Sequence, residues 1–237
     1  MNPRNHKAID WQASRYNELA NSTKNKLLKH FYAGAYNQDK AAIKDVPFVA
    51  MDFETTGLNS QNDDIVSVGL VPFNLERIYC KHSRHWVVQP RRNLHEESIL
   101  IHGITHSEVD DAPDFNQIIE PLLEALSGKV VVVHYAAIER HFLNNALLLR
   151  LKEGIEFALV DTMEIEKRAL KARQGLLGRL FNTKLGSLRL TDCRARYSLP
   201  AYQNHNALTD ALATAELLQA QLSYHYRVDT PISELWF

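Results

Sequence analysis

The chain has little cysteine. Its two, Cys80 and Cys193, form no C-x-x-C pair, which argues against a cysteine metal knuckle and fits a reducing cytoplasm best. No uninterrupted apolar run approaches the ~20 residues a membrane helix needs. The first residues, MNPRNHKAIDWQ, lack the charged-then-apolar order of an export signal, and no export is expected. An excess of charge of one sign is missing too: the formal net charge is -1. That weighs against a protein coating long nucleic acids through a basic surface, but not against one that holds a short strand end, because local charge matters more than the total. Neither an internal repeat nor a low-complexity tract is visible. A Gly-rich phosphate loop and an H-E-x-x-H zinc pair are also absent. His102 and His106 have helical spacing, but Gly103 and Thr105 between them speak against a stable helix and so against a zinc pair.

What the chain does have is a core's worth of hydrophobic residues, 45% of its length. Residues 1–45 read as a helical extension. Asp10 would cap a helix carrying Trp11, Tyr16 and Leu19. Ser22 or Thr23 would cap a second carrying Leu27, Leu28 and Phe31, with Gly34 as its stop. Such a pair either packs on the main domain or serves as a docking arm. Residues 46–237 read as one domain. PFVAMDFE is a short apolar run of the kind that makes a central strand. DIVSVGLVPF and ERIYCKHSRHWVVQP follow closely, the latter bent near His82 and Ser83, and the short spacing predicts an antiparallel meander.

After the meander, DFNQIIEPLLEALSG predicts a helix between Asp114 and Gly128. KVVVVHY is a strand too apolar for a sheet edge. AAIERHFLNNALLLRL is a helix with Ile138, Phe142 and Leu149 on one side, and IEFALVDT is a fifth strand. Helices are expected at about 161–172, 187–197 and 206–224. The order predicts an α/β fold: a mixed five-stranded sheet with helices on both faces.

The first strand ends in two acids. Strand side chains alternate faces, so Asp52 and Glu54 point the same way while Phe53 points to the other. Two carboxylates so placed repel, and a hard divalent cation, magnesium or manganese, removes the conflict. A lone D-x-E also fits a solvated strand end. The following TTGL turns the chain, with Gly57 supplying backbone freedom. In HNALTDALATAELLQAQL, Leu208, Ala211, Ala215, Leu218 and Leu222 form a core stripe. Asp210 sits beside that stripe, either a first-turn acid favoured by the helix dipole or a site carboxylate. His205, five positions earlier, belongs at the helix entrance. Glu139 is a first-turn acid of the helix after KVVVVHY, with the same two readings.

Taken together, these stretches resemble the DnaQ-like 3′–5′ exonucleases of the DEDDh type, the family of the proofreading epsilon subunit of bacterial DNA polymerase III. The first motif is matched by Asp52, Glu54, Thr56 and Gly57; the second, usually H-N-x-x-F-D, by HYAAIE from His134 to Glu139; the third, H-x4-D, by His205 and Asp210. IHGIT, Ile101 to Thr105, and VDT, Val160 to Thr162, stand where family members often carry similar words. The resemblance covers about residues 46–224. Glu139 departs from the usual aspartate, keeping the charge and adding a methylene of reach.

The resemblance implies a ribonuclease-H-like sheet and hydrolysis of terminal phosphodiesters of DNA from a 3′ end, releasing nucleoside 5′-monophosphates. Two Mg2+ (or Mn2+) ions about 3.5–4 Å apart would clamp the scissile phosphate, held by Asp52, Glu54, Asp210 and Glu139. His205 would be the general base, since histidine changes charge near neutral pH. Thr55, Thr56 and Gly57 would meet the last nucleotide, Leu58 would wedge against its base, and Gly103 and Ile104 would line the same pocket. Lys167, Arg168, Lys171, Arg173, Arg179, Lys184, Arg189, Arg194 and Arg196 form either a solvated face or a path for upstream phosphates. The implied partners are a nucleic-acid 3′ end and a DNA polymerase or repair complex, with no membrane. An RNA 3′-end trimmer and a non-catalytic nucleic-acid-binding module that retains the fold are the competing readings.

Overall fold

The computed structural model describes residues 11, 13–92, 103–174, 185–203 and 205–236. Asp10, Ile101, His102, Arg179 and Lys184 therefore lie outside the described residues. Strand β1 (Phe48–Thr55) is central. It pairs antiparallel with β2 (Ile65–Phe73), which pairs antiparallel with β3 (Arg84–Val87). On its other side β1 pairs parallel with β4 (Val130–Val133), and β4 with β5 (Leu159–Asp161). The sheet order is β3-β2-β1-β4-β5. This is the mixed five-stranded sheet expected from the sequence: a meander supplies the antiparallel half, and helical crossovers supply the parallel half.

Period-two alternation sorts β1 between two cores. Phe48 and Ala50 face one side with Val71, Val130, Val132 and Val160, and Phe48 stacks on its register partner Phe73 at 5.3 Å. Helix α8 (Ala207–His225) covers this face through Ala211, Ala215, Leu218 and Leu222, the stripe read from the sequence. Val49, Met51 and Phe53 face the other side with Val68, Val131 and Val133. That face is covered by α4 (Asn116–Leu126) and α5 (Ala136–Leu151), through Ile119, Leu122, Phe142, Leu143 and Leu147. Leu149, expected on the buried side of α5, is exposed. The buried face follows Glu139, Phe142, Leu143 and Ala146, and Leu149 is rotated out of it.

Helices α1 (Ala13–Ser22) and α2 (Lys26–Gly34) precede the sheet. Asn25 caps α2, accepting from Leu27 and Leu28 N–H, in place of the expected Ser22 or Thr23. Thr23 instead donates its hydroxyl to Glu153 at 2.6 Å. Trp11, Tyr16, Leu28, Phe31 and Tyr32 lie in the same buried cluster as Val49 and Met51. The Tyr16 hydroxyl accepts the Ala158 N–H at 2.9 Å, and the Tyr32 hydroxyl accepts that of Glu156 at 3.2 Å. The pair thus grips the segment that leads into β5.

Short helix α3 (His106–Asp110) starts at a capping box of Thr105 and Glu108, after the non-helical Gly103–Thr105. Helix α6 (Thr162–Arg173) follows β5 directly, and α7 (Leu190–Arg196) precedes α8. Among the described residues no helix is long and apolar enough to cross a membrane.

Candidate active site

Asp52 and Glu54 stand on the α8 side of β1, near its C-terminal end, in register with Gly69 and Ser67 of β2. Helix α8 begins at Asn206, whose side chain accepts the Thr209 N–H. Its first turn brings Asp210 down on these strands. Carboxylate oxygens of Asp52, Glu54 and Asp210 lie within 4.8 Å of one another. Glu54 and Asp210 are buried, and Asp52 is partly so. Glu139, in the first turn of α5, is buried to 3% exposure and adds its charge to the field at Asp52.

Four acids in one partly dry place raise one another's proton affinity. Burial, then the charges of Glu139, Asp210 and Glu54, holds Asp52 well above the usual carboxylate range. Burial and Asp210 push Glu54 up to about 8. Glu139 is raised by burial, with Asp161 adding to it. Asp210 is raised by burial against the pull of the His205 N–H.

Two of these carboxylates also carry orphaned oxygens. Glu139 Oε2 and Asp210 Oδ1 are buried without a hydrogen-bond partner among the described residues. Buried acceptors left open are costly, and a divalent cation satisfies them. An all-oxygen donor set with excess negative charge suits magnesium or manganese.

His205 precedes the α8 cap. It is exposed, its φ is +67, and its backbone N–H donates to Asp210 Oδ2 at 2.8 Å. That bond fixes the His205 backbone at the helix mouth beside Asp210.

The turn after β1 is built on Asp63 and Asp64. Thr56 N–H donates to the Asp64 carbonyl and its hydroxyl to Asp63 Oδ1, while Thr55 Oγ1 donates to the Gly57 carbonyl at 2.6 Å. Gly57 has no left-handed φ. A side chain there would press on the Asp63 carboxylate, so glycine is needed for space and not for backbone freedom. Leu58 projects at 84% exposure. Gly103 has φ +72, and Ile104 packs with Val66, Val87 and Val109 in a satellite cluster.

Asp161, at the end of β5, was not singled out as a functional residue from the sequence. It is buried and caps α6, accepting the Met163 N–H. It also accepts the N–H groups of Tyr135 at 3.1 Å and Ala136 at 2.9 Å, the two residues that open α5. One carboxylate thereby fixes the helix start that carries Glu139. An acid between an apolar strand and a helix is an N-cap signal, but its second grip, on residues 26 and 25 positions earlier, has no local trace.

Beside it, His134 bridges two segments. Its Nε2–H donates to the Leu188 carbonyl at 2.9 Å, since a carbonyl can only accept. Its Nδ1 lies 2.8 Å from the Thr162 hydroxyl, which itself donates to the Val133 carbonyl at 3.0 Å. Burial lowers the proton affinity of this imidazole, in keeping with the neutral form.

A mixed sheet with carboxylates gathered at the end of its central strand is the frame of a ribonuclease-H-like nuclease. The chain belongs to the exonuclease family, whose model matches residues 49–218. The DNA polymerase III subunit epsilon of Treponema pallidum (strain Nichols) is 28% identical over 185 residues, 78% of this chain and 80% of that protein. A PolC-type DNA polymerase III of Thermotoga maritima is 29% identical over 181 residues, 76% of this chain. The match spans only 12% of the length of that polymerase. The fold is shared with the nuclease domain of 3′hExo, a DEDDh family member bound to rAMP, at a TM-score of 0.61 and 17% identity, covering 76% of this chain and 92% of that one. It is shared also with cell-death related nuclease 4, at 0.63 and 18%, covering 76% and 64%.

Proposed function

We propose that the protein is a metal-dependent 3′–5′ exonuclease that removes nucleoside 5′-monophosphates from DNA ends. The observation that carries this reading is the convergence of Asp52, Glu54 and Asp210 within 4.8 Å, with Glu139 against them. Asp52, Glu54, Asp210 and Glu139 would hold two Mg2+ or Mn2+ ions. Bound there, such ions polarise a phosphoryl group and make water more acidic.

The chain's own residues supply the rest. Exposed at the mouth of α8, His205 takes a proton from the attacking water on an imidazole nitrogen, a step usually worth ~10²–10⁴-fold. The water oxygen bonds to phosphorus as the bond to the 3′ oxygen of the upstream nucleotide breaks, and that oxygen leaves as an alkoxide that takes a proton from solvent water. Thr55 and Gly57 line the approach of the last nucleotide, while Thr56, expected there too, is buried with its N–H on the Asp64 carbonyl and instead holds the turn; the bare side chain of Leu58 offers an apolar wedge for the base. Gly103 and Ile104 close the same side.

DNA is favoured over RNA because the sequence relatives are DNA polymerase III proteins. The same relationship supports a polymerase or repair complex as partner. The test is cleavage of 5′-labelled single-stranded DNA and RNA in Mg2+, with wild type and Asp210→Asn in parallel. The reading expects shortening from the 3′ end, faster on DNA, and none by the variant. Faster trimming of RNA would make the protein an exoribonuclease. Equal products from variant and wild type would leave only a nucleic-acid-binding module.

A further inference from the structure

The His134–Leu188 hydrogen bond has a consequence outside the carboxylate cluster. It ties residue 134 to residue 188, and so joins the two segments that continue into Tyr135 and Arg189. β1 and β4 are paired as far as Ala50 and Val132, so Asp52–Glu54 at the end of β1 and His134–Ala136 just past β4 lie at the same end of the sheet. Tyr135 therefore stands at the rim of the site, one helical turn before Glu139.

Both side chains are conspicuous. Tyr135 caps α5 with φ +90, a backbone region costly for a bulky residue. Its backbone is held there by Asp161. Its ring is 46% exposed, and its hydroxyl has no hydrogen-bond partner among the described residues, so the folded protein gains little from an aromatic group at this point. Arg189 is exposed and makes no ion pair among the described residues.

Several other cations of the basic stretch are engaged, though Arg173, like Arg189, makes no ion pair among the described residues. Lys167 pairs with Glu164, Arg168 reaches the Glu234 carbonyl, Arg194 pairs with Glu216, and Arg196 with Glu166. An unattached aromatic face and an unattached guanidinium on adjoining segments are the groups that proteins use to hold single-stranded nucleic acid, base on ring and phosphate on cation.

We infer that Tyr135 and Arg189 form a subsite for the single strand upstream of the scissile phosphate, the ring stacking on a base and the guanidinium meeting a backbone phosphate. The inference rests on the nuclease reading for its place in the reaction, but it predicts binding in its own right. It also makes an unpaired 3′ end the preferred substrate, because a base inside a duplex has no free face for the ring.

The experiment compares wild type, Tyr135→Ala, Tyr135→Phe, Tyr135→Gly and Arg189→Ala. The substrates are a single-stranded DNA oligonucleotide and the p-nitrophenyl ester of thymidine 5′-monophosphate, which has no upstream nucleotide. Fluorescence anisotropy of a labelled oligonucleotide reads binding in parallel.

The expected result is a roughly tenfold rise in KM and Kd on the oligonucleotide for Tyr135→Ala, Tyr135→Gly and Arg189→Ala. Tyr135→Phe should behave as wild type, and kcat/KM on the ester should stay within about twofold. Arg189→Ala should also flatten the slope of log Kd against log salt by ~0.7, the value for one phosphate on a single strand, while Tyr135→Ala leaves that slope alone. Unchanged KM and Kd in the alanine variants, an effect shared by Tyr135→Phe, or an equal loss on the ester would overturn the subsite. Absence of cleavage by wild type would sink the nuclease reading instead, and anisotropy would still decide the subsite.

Discussion

Gly69 stands opposite Asp52 in the β1–β2 ladder, and a methyl group placed on it would collide with the Ala207 carbonyl in the first turn of α8. The missing side chain is what lets this turn settle on β2 and carry Asp210 toward Asp52. Gly69→Ala must push backbone, which cannot yield as a flexible side chain does. It should cost about 1–3 kcal/mol of stability and weaken Mn2+ binding at least tenfold in protein that is still folded. Calorimetric titration with Mn2+ beside thermal unfolding measures both. A variant that binds Mn2+ as wild type would show that Asp210 is positioned without this close contact.

Neutralising one acid should separate stability from activity. Asp210→Asn removes a charge from a buried cluster in which Asp52 and Glu54 both feel it. The metal-free variant should be more stable than wild type by roughly 1–2 kcal/mol, ~2–8 °C in Tm for a chain of this size, and should lose nuclease activity. Thermal unfolding in EDTA reads the first effect. A lower Tm would mean that Asp210 stabilises the fold through its bond from His205.

The same charges fix a pH dependence. Unfolded carboxylates titrate near ~4, whereas Glu54 is carried up to about 8 and Asp52, Glu139 and Asp210 move the same way. Between those values the folded state holds more protons than the unfolded one, so metal-free stability falls as pH rises. The contribution is complete below about pH 4 and is lost progressively through about pH 8. In EDTA, Tm should therefore drop between pH 5.5 and 8.5, and saturating Mn2+ should flatten the trend. A metal-free Tm that climbs over this range would contradict the electrostatics described.

Asp161 acts through Glu139. Asp161→Ala leaves the N–H groups of Tyr135, Ala136 and Met163 without their acceptor. The expected signature is a kcat lowered about 10–100-fold, as for residues that orient metal ligands, together with weaker Mn2+ binding. Asp161→Asn, which keeps an acceptor oxygen, should recover part of both. Loss of stability with kcat and Mn2+ affinity intact would make Asp161 a cap for α6 and nothing more.

The residues before β1 behave as a brace in the structure, through Phe31 in the core and Tyr16 and Tyr32 on the approach to β5. We expect Phe31→Ala to cost about 3–5 kcal/mol while leaving kcat unchanged at temperatures where the variant is folded. If stability is indifferent to this substitution, residues 1–45 are better regarded as a docking arm.

Sheet order and the two helical layers were legible because each strand is a short apolar run and each helix carries a periodic stripe. The pairing of Asp52 with Glu54 was legible for the same reason, since alternation alone puts them on one face. Asp210 stood out as an acid on a core stripe. What local pattern could not carry was distance: Gly69 is needed because of Ala207, and Asp161 reaches residues on another element. Leu149 was misassigned because α5 buries a face set by Glu139 and Phe142, and an acid is not counted as part of a hydrophobic stripe. At α2, Asn25 won the cap over Ser22 and Thr23 because Thr23 is occupied by Glu153.

The central claim is that four acids from β1, α5 and α8 make one cation-dependent cleavage site. Its most direct test is Mg2+-dependent digestion of a single-stranded DNA labelled at its 5′ end, by wild type and by Asp52→Asn, Glu139→Gln and Asp210→Asn. The account predicts a ladder shortening from the 3′ end for wild type, abolished by EDTA and by each substitution while the fold persists. Cleavage that survives EDTA, or that any of these folded variants performs at the wild-type rate, would contradict it.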